Sequence, residues 1–139
     1  MKHNFSECSL TLPDGTTFVG SSDDGFVEFK GIPYAQPPTG VNRWKPPQLI
    51  TTYDGAEIDA TQQVKCATNS HREGETEDCL VVNISAKQTT IASGEKVPIV
   101  YYIHGGGFNS GANAVRQGRK DLIADLKFNK IEIFILNLI

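Results

Sequence analysis

An uncharged run, Val97-Pro98-Ile99-Val100-Tyr101-Tyr102-Ile103, leads without a break into His104-Gly105-Gly106-Gly107. A run that is apolar on both faces reads as a central strand of a parallel sheet. The fold must therefore deliver a strand end to a turn of three consecutive residues without side chains. Downstream, Val115, Leu122, Ile123 and Leu126 repeat at helical spacing over residues 112–128, weakened by Gly118, and residues 131–136 read as the next strand. Strand, helix, strand in that order predicts one βαβ unit, and with it the α/β class.

The upstream half reads differently. Ser9-Leu10-Thr11-Leu12 and Thr16-Thr17-Phe18-Val19 alternate by side around Pro13-Asp14-Gly15, which predicts a hairpin over residues 7–20. Phe26-Val27-Glu28-Phe29 is a third short strand. Pro33, Pro37, Pro38, Pro46 and Pro47 then interrupt residues 31–47, where neither helix nor central strand should persist. Tyr34 and Trp44 are the expected anchors of that coil. Leu80-Val81-Val82-Asn83-Ile84 is a strand, and residues 87–96 read as a polar loop containing Ser93-Gly94.

Composition excludes several classes. Thirteen Lys and Arg against sixteen Asp and Glu give a formal charge of −3, with both signs scattered. No basic face argues for nucleic acid and no basic amphipathic stretch for a membrane surface. The longest apolar run, residues 131–139, is far short of the ~20 residues of a membrane helix. Residues 1–8 contain no apolar h-region, so the chain reads as cytoplasmic, or as secreted if its true N-terminus lies upstream. The triplets Asn4-Phe5-Ser6 and Asn83-Ile84-Ser85 are read as chance, the second because it lies in a strand. Cys8, Cys66 and Cys79 are too few for a disulfide scaffold and are not spaced for zinc. No metal or cofactor is expected. Cys66 and Cys79 bracket a polar segment that they either close as a disulfide or leave open as two thiols.

Three glycines in a row have a chemical use. Acyl transfer builds an oxyanion, and backbone N–H donors reach it only where no side chain intervenes. An HGGG-type loop is one way that lipases and esterases supply such a donor. A plain glycine turn and a nucleotide loop are the alternatives. Neither G-x-G-x-x-G nor G-x-x-x-x-G-K-[ST] is completed, because the run continues Phe108-Asn109-Ser110-Gly111.

Further segments narrow the choice. Phe29-Lys30-Gly31-Ile32-Pro33-Tyr34-Ala35-Gln36-Pro37-Pro38-Thr39-Gly40 with Arg43-Trp44-Lys45-Pro46-Pro47 resembles the N-terminal signature of the type-B carboxylesterase and cholinesterase family. Glu77-Asp78-Cys79-Leu80-Val81-Val82-Asn83-Ile84 resembles that family's second signature, and both match in order and spacing relative to the glycine turn. The resemblance covers residues 8–127. It implies an α/β-hydrolase with a Ser-Glu/Asp-His triad acting on small-molecule carboxylic esters. It implies that Gly106 and Gly107 donate oxyanion N–H groups, with Gly105 and His104 shaping the loop. It also implies a Cys66–Cys79 disulfide and a buried structural ion pair between Arg43 and Glu77, whose rupture would strand a charge.

The departures carry equal weight. Val81 stands where the second signature usually has an aromatic or Thr. The segment between Cys66 and Cys79 lacks Trp, so the choline-binding aromatic of true cholinesterases has no counterpart in it. A general carboxylesterase is therefore expected. No G-x-S-x-G occurs in the chain, and of its three histidines, His3, His71 and His104, neither His71 in the polar segment nor His104 in the glycine turn has a serine partner. Residues 128–139 leave the family pattern. The expectation is thus one partial domain over 1–139: the N-terminal part of an α/β-hydrolase fold, with β-hairpin, Pro-rich coil and the start of the central sheet. It is truncated before the nucleophile elbow and inactive alone. Residues 97–103 should then expose a parallel edge and 131–139 a β-prone end, with poor solubility. A non-catalytic, partner-binding relative of the cholinesterases is the alternative.

Overall fold

The structure is a computed structural model that describes residues 6–23, 25–68, 72–107 and 132–136. The predicted hairpin forms: β1 (Ser6–Thr11) pairs antiparallel with β2 (Thr17–Asp23), in register from Ser6↔Ser22 to Thr11↔Thr17. Its turn is fixed by Asp14, whose Oδ1 accepts from the Thr16 N–H at 2.9 Å, and by Leu12 N–H donating to Thr16 O at 2.8 Å. β4 (Glu57–Asp59) adds parallel to β2.

β3 runs from Phe26 to Pro33, four residues past the expected end at Phe29. It pairs antiparallel with β7 (Val81–Lys87), and the register shifts between Phe29 and Ile32. Gly31 absorbs that irregularity with φ +69; a Cβ there would lie 2.9 Å from Gln62 O and from Val64 Cγ2. Pro33 is tolerated because it closes the ladder, opposite Val81, where a missing N–H costs little. The coil beyond contains one 3-10 turn, Gly40–Asn42.

β5 (Lys65–Cys66) and β6 (Glu75–Thr76) form a separate parallel pair. The polar loop expected at 87–96 instead holds α1 (Gln88–Ser93), ended by Gly94 in the left-handed conformation, where glycine has no Cβ penalty. β8 (Ile99–Ile103) and β9 (Glu132–Leu136) are adjacent and parallel, as a βαβ crossover requires. The expected helix over 112–128 lies outside the described residues.

The main sheet has the order β1-β2-β3-β7-β9-β8, with β4 on β2. β9 therefore sits inside the sheet, antiparallel to β7 and parallel to β8, and is not the free β-prone end expected for that stretch. β8 is the last strand among the described residues, so the expected parallel edge is present where a central strand had been read. The core gathers Phe18, Val27, Phe29, Ile32, Ala60 and Ala86, with Tyr53 edge-on to Phe18 at 5.3 Å and donating its hydroxyl to Pro33 O at 2.5 Å. These residues all belong to β2, β3, β7 and the segments that cover them.

Candidate active site

The two signature-like segments are physical partners. β3 carries the first and β7 the second, joined at Phe29↔Ile84, Ile32↔Val82 and Pro33↔Val81. Beyond the ladder, the Tyr34 N–H donates to Leu80 O at 3.0 Å. At the bulge, the Gly31 N–H donates to Asn83 Oδ1 at 2.8 Å, and Asn83 Nδ2 donates to Gln63 Oε1 at 3.2 Å. Asn83 is 3% exposed, so its amide is committed to holding the bulge and is closed to glycosylation. Sequence reading placed Asn83 in a motif and missed this role. A polar residue in the middle of an apolar strand was the available signal, since a buried amide needs partners.

The glycine turn follows β8 directly. His104 Nδ1 donates to Gly105 O at 3.1 Å, which ties the imidazole to its own loop. Gly106 and Gly107 have φ of 150° and 59°, backbone shapes that an L side chain adopts only with strain. Gly105, Gly106 and Gly107 are exposed, and a Cβ on Gly105 or Gly107 would meet nothing within 4 Å. Conformation, rather than crowding by the described residues, is what requires glycine here. The structure thus presents a glycine turn at the end of a strand, exposed among the described residues. His71 and His3 lie outside the described residues. Ser21 and Ser22 are strand residues of β2, and Ser93 ends α1, so none of the three stands at a strand-to-helix elbow.

Cys66 and Cys79 are bridged, with Cα atoms 5.2 Å apart, which resolves the alternative that sequence left open. Cys79 is fully buried. The loop they bracket is also gathered by Glu75, whose carboxylate accepts from Thr68 N–H, Thr68 hydroxyl and Arg72 N–H at 3.0–3.1 Å. The backbone N–H of Thr68, then that of Arg72, holds the Glu75 carboxyl below its ordinary value. Cys8 is a free thiol that burial pushes above its ordinary pKa, so it carries little thiolate.

Two expectations for the Pro-rich coil need correction. Arg43 and Glu77 are paired, and the hydrogen bond to Glu77 raises the Arg43 guanidinium above its usual value, but both side chains are about half exposed (48% and 50%). Water screens such a pair, so it is a surface tether between the two signature segments and not a buried one. Trp44 is not an anchor. It is 92% exposed, with a positive φ of 61° after the 3-10 turn, and the Arg43 guanidinium lies 5.4 Å from its ring centroid. Tyr34 does hold the coil, through its backbone bonds to Leu80 and Ile50. Among the described residues no cluster of His, Cys, Asp or Glu could hold a metal, and no helix is long and apolar enough to cross a membrane.

Known proteins share this arrangement. The model of the carboxylesterase family matches residues 14–128. The chain is 35% identical over 104 residues to the para-nitrobenzyl esterase of Bacillus subtilis, covering 68% of this chain and 20% of that protein. It is 29% identical over 136 residues to a secreted triacylglycerol lipase of Gibberella zeae, covering 81% of this chain and 23% of that one. A solved PNB esterase superposes with a TM-score of 0.72 at 32% identity, over 95% of this chain and 27% of its own. The chain therefore spans about a quarter or less of these relatives, and its sheet is that of an α/β-hydrolase. With signature segments that are paired strands, and a family match running through the glycine turn, the chain belongs to the carboxylesterase family.

Proposed function

We propose that this chain supplies the oxyanion half of a carboxylic ester hydrolase site of the serine type. Gly106 and Gly107 offer their N–H groups to the developing negative charge of the tetrahedral intermediate. Gly105 and His104 hold the turn that aims them. The single observation that carries the reading is the turn itself: positive φ at Gly106 and Gly107 immediately past the end of β8. Such a turn fixes the direction of its backbone N–H groups in advance, so that aiming them at the charge costs no reorganisation during reaction. The Cys66–Cys79 bridge and the Arg43–Glu77 tether hold together the segments that lead into β7.

Small-molecule carboxylic esters are the substrates in this reading. The relatives support it, since they include an esterase and a lipase. The lipase is secreted, which favours the secreted alternative and lends nothing to a cytoplasmic one. A nucleophile elbow is absent from the sequence, and a donor loop without an attacking oxygen and a base does not complete a turnover. The 139-residue chain by itself is inactive, a partial site.

The test is a covalent graft. The N-terminal stretch of the B. subtilis para-nitrobenzyl esterase matched by this chain is replaced with residues 14–107, and hydrolysis of a para-nitrobenzyl ester is followed. The graft turns over, and Gly106→Pro lowers kcat by ~10²-fold or more with little change in KM, the usual cost of losing one oxyanion donor. An unchanged kcat overturns the assignment. Ester turnover by the 139-residue chain alone that tracks its purification and vanishes in Gly106→Pro overturns the claim of inactivity.

A further inference from the structure

Three Asp-Gly pairs occur in the chain, Asp14-Gly15, Asp24-Gly25 and Asp54-Gly55, of which the first and third lie wholly within the described residues. The pair is chemically unstable, because the glycine nitrogen, with no side chain beside it, can attack the carboxyl of the preceding aspartate. Attack is easiest where the nitrogen and the carboxyl have few other ties and the backbone opens readily.

At the hairpin turn both reacting groups are engaged. The Gly15 N–H donates to Leu12 O at 3.0 Å, and Asp14 Oδ1 accepts from the Thr16 N–H at 2.9 Å. Thr16 is fully buried, so that bond is anchored in the core. The same backbone N–H holds the Asp14 carboxyl below its ordinary pKa, whereas the form that cyclises is the protonated acid, whose hydroxyl leaves as water. The other turn is tied at its ends and free in the middle. The Ala56 N–H donates across it to Tyr53 O at 3.1 Å, and Asp54 and Gly55 between them both take positive φ, 55° and 73°. Aspartate enters that region only with some strain. Among the described residues both are exposed, the Gly55 N–H has no hydrogen-bond partner, and the Asp54 carboxylate accepts one long bond, 3.3 Å from the Thr52 hydroxyl.

We propose that Asp54-Gly55 is a self-modification site, where the folded chain forms isoaspartate without an enzyme, and that the hairpin turn protects Asp14-Gly15 from the same fate. The Gly55 nitrogen bonds to Asp54 Cγ and gives up its proton, and the carboxyl hydroxyl leaves as water, closing a succinimide ring. Water then opens the ring. Attack at Cγ restores aspartate, whereas attack at the main-chain carbonyl carbon leaves Gly55 linked through Cγ, as isoaspartate. The water lost is regained, so the mass is unchanged and no co-reactant is needed. The new link places an extra methylene in the main chain between two differently employed neighbours. Tyr53 donates its hydroxyl to Pro33 O and meets Phe18 edge-on, while Ala56 O accepts from the Thr17 N–H at 3.0 Å and leads into β4. The modification therefore loosens β4 from β2 and leaves Tyr53 in the core. Ester chemistry plays no part in it.

The purified 139-residue chain is aged in warm neutral buffer, folded in one arm and unfolded in urea in the other. Isoaspartate at each position is read by peptide mapping with radical fragmentation. In the folded arm it accumulates about tenfold faster at Asp54 than at Asp14, and in urea the two rates come together. Equal rates in the folded arm, or Asp14 ahead, overturn the proposal. So does an advantage of Asp54 that persists in urea, since neighbouring side chains and not the turn would then cause it. A second measurement reads the consequence. Amide exchange of Thr17 speeds in the aged chain and stays unchanged in aged Asp54→Glu, whose longer side chain closes a ring far more slowly. Unchanged Thr17 exchange in a chain that carries the modification overturns the effect on β4. The two-arm comparison uses the unaltered chain, so it decides the matter even if Asp54→Glu misfolds.

Discussion

One sheet has two unlike ends. At β2, β3 and β7, every strand is flanked on both sides and Phe18, Val27, Phe29 and Ala86 are buried together. At β8, which pairs with β9, Ile99, Val100, Tyr101 and Ile103 are exposed among the described residues. Hydrophobicity is therefore not what distinguishes the ends. The difference, among the described residues, is whether other segments receive the side chains.

Substitutions can break or sharpen that contrast. Phe29→Ala at the closed end removes a side chain that is 3% exposed and leaves a cavity; urea unfolding should show a loss of ~3–5 kcal/mol. A smaller loss would mean that the core is looser than its burial implies. Gly31→Ala forces a Cβ against Gln62 O in a left-handed conformation, with an expected cost of ~3 kcal/mol. Asn83→Ala, which leaves the Gly31 N–H unpaired, should cost ~2 kcal/mol in the same assay. At the open end, Ile103→Lys should change stability by ~0.5 kcal/mol or less while reducing self-association, seen by sedimentation. A large destabilisation there would show that β8 is packed after all.

How far these ends could be read from residues alone follows the same division. The hairpin was legible because alternation with period two and the Pro13-Asp14-Gly15 turn are local signals. The strand at 97–103 was legible too, but an apolar run reports a demand for burial, not whether neighbours meet it. β3 was cut short at Phe29 because its continuation depends on Asn83, 52 residues away. α1 was hidden because six residues offer too few positions for a helical period. Trp44 was misplaced because nothing in its identity announces a positive φ, and the exposure of the Arg43–Glu77 pair is a property of the surroundings. The glycine turn was recognisable as chemistry, whereas its φ angles of 150° and 59° needed coordinates.

The place of β9 bears on how the chain is made. β7 and β8 come before it in sequence, yet it lies between them, with Val82 opposite Leu136 and Tyr101 opposite Phe134. Synthesis runs from the N-terminus, so β8 leaves the ribosome before β9, the strand it pairs with among the described residues. Until residues 132–136 follow, the run from Ile99 to Ile103 waits for that partner, and non-local parallel pairing of this kind folds slowly. The hairpin and the β3–β7 ladder face no such delay, so the scaffold is expected to set first and the strand that presents the glycines last.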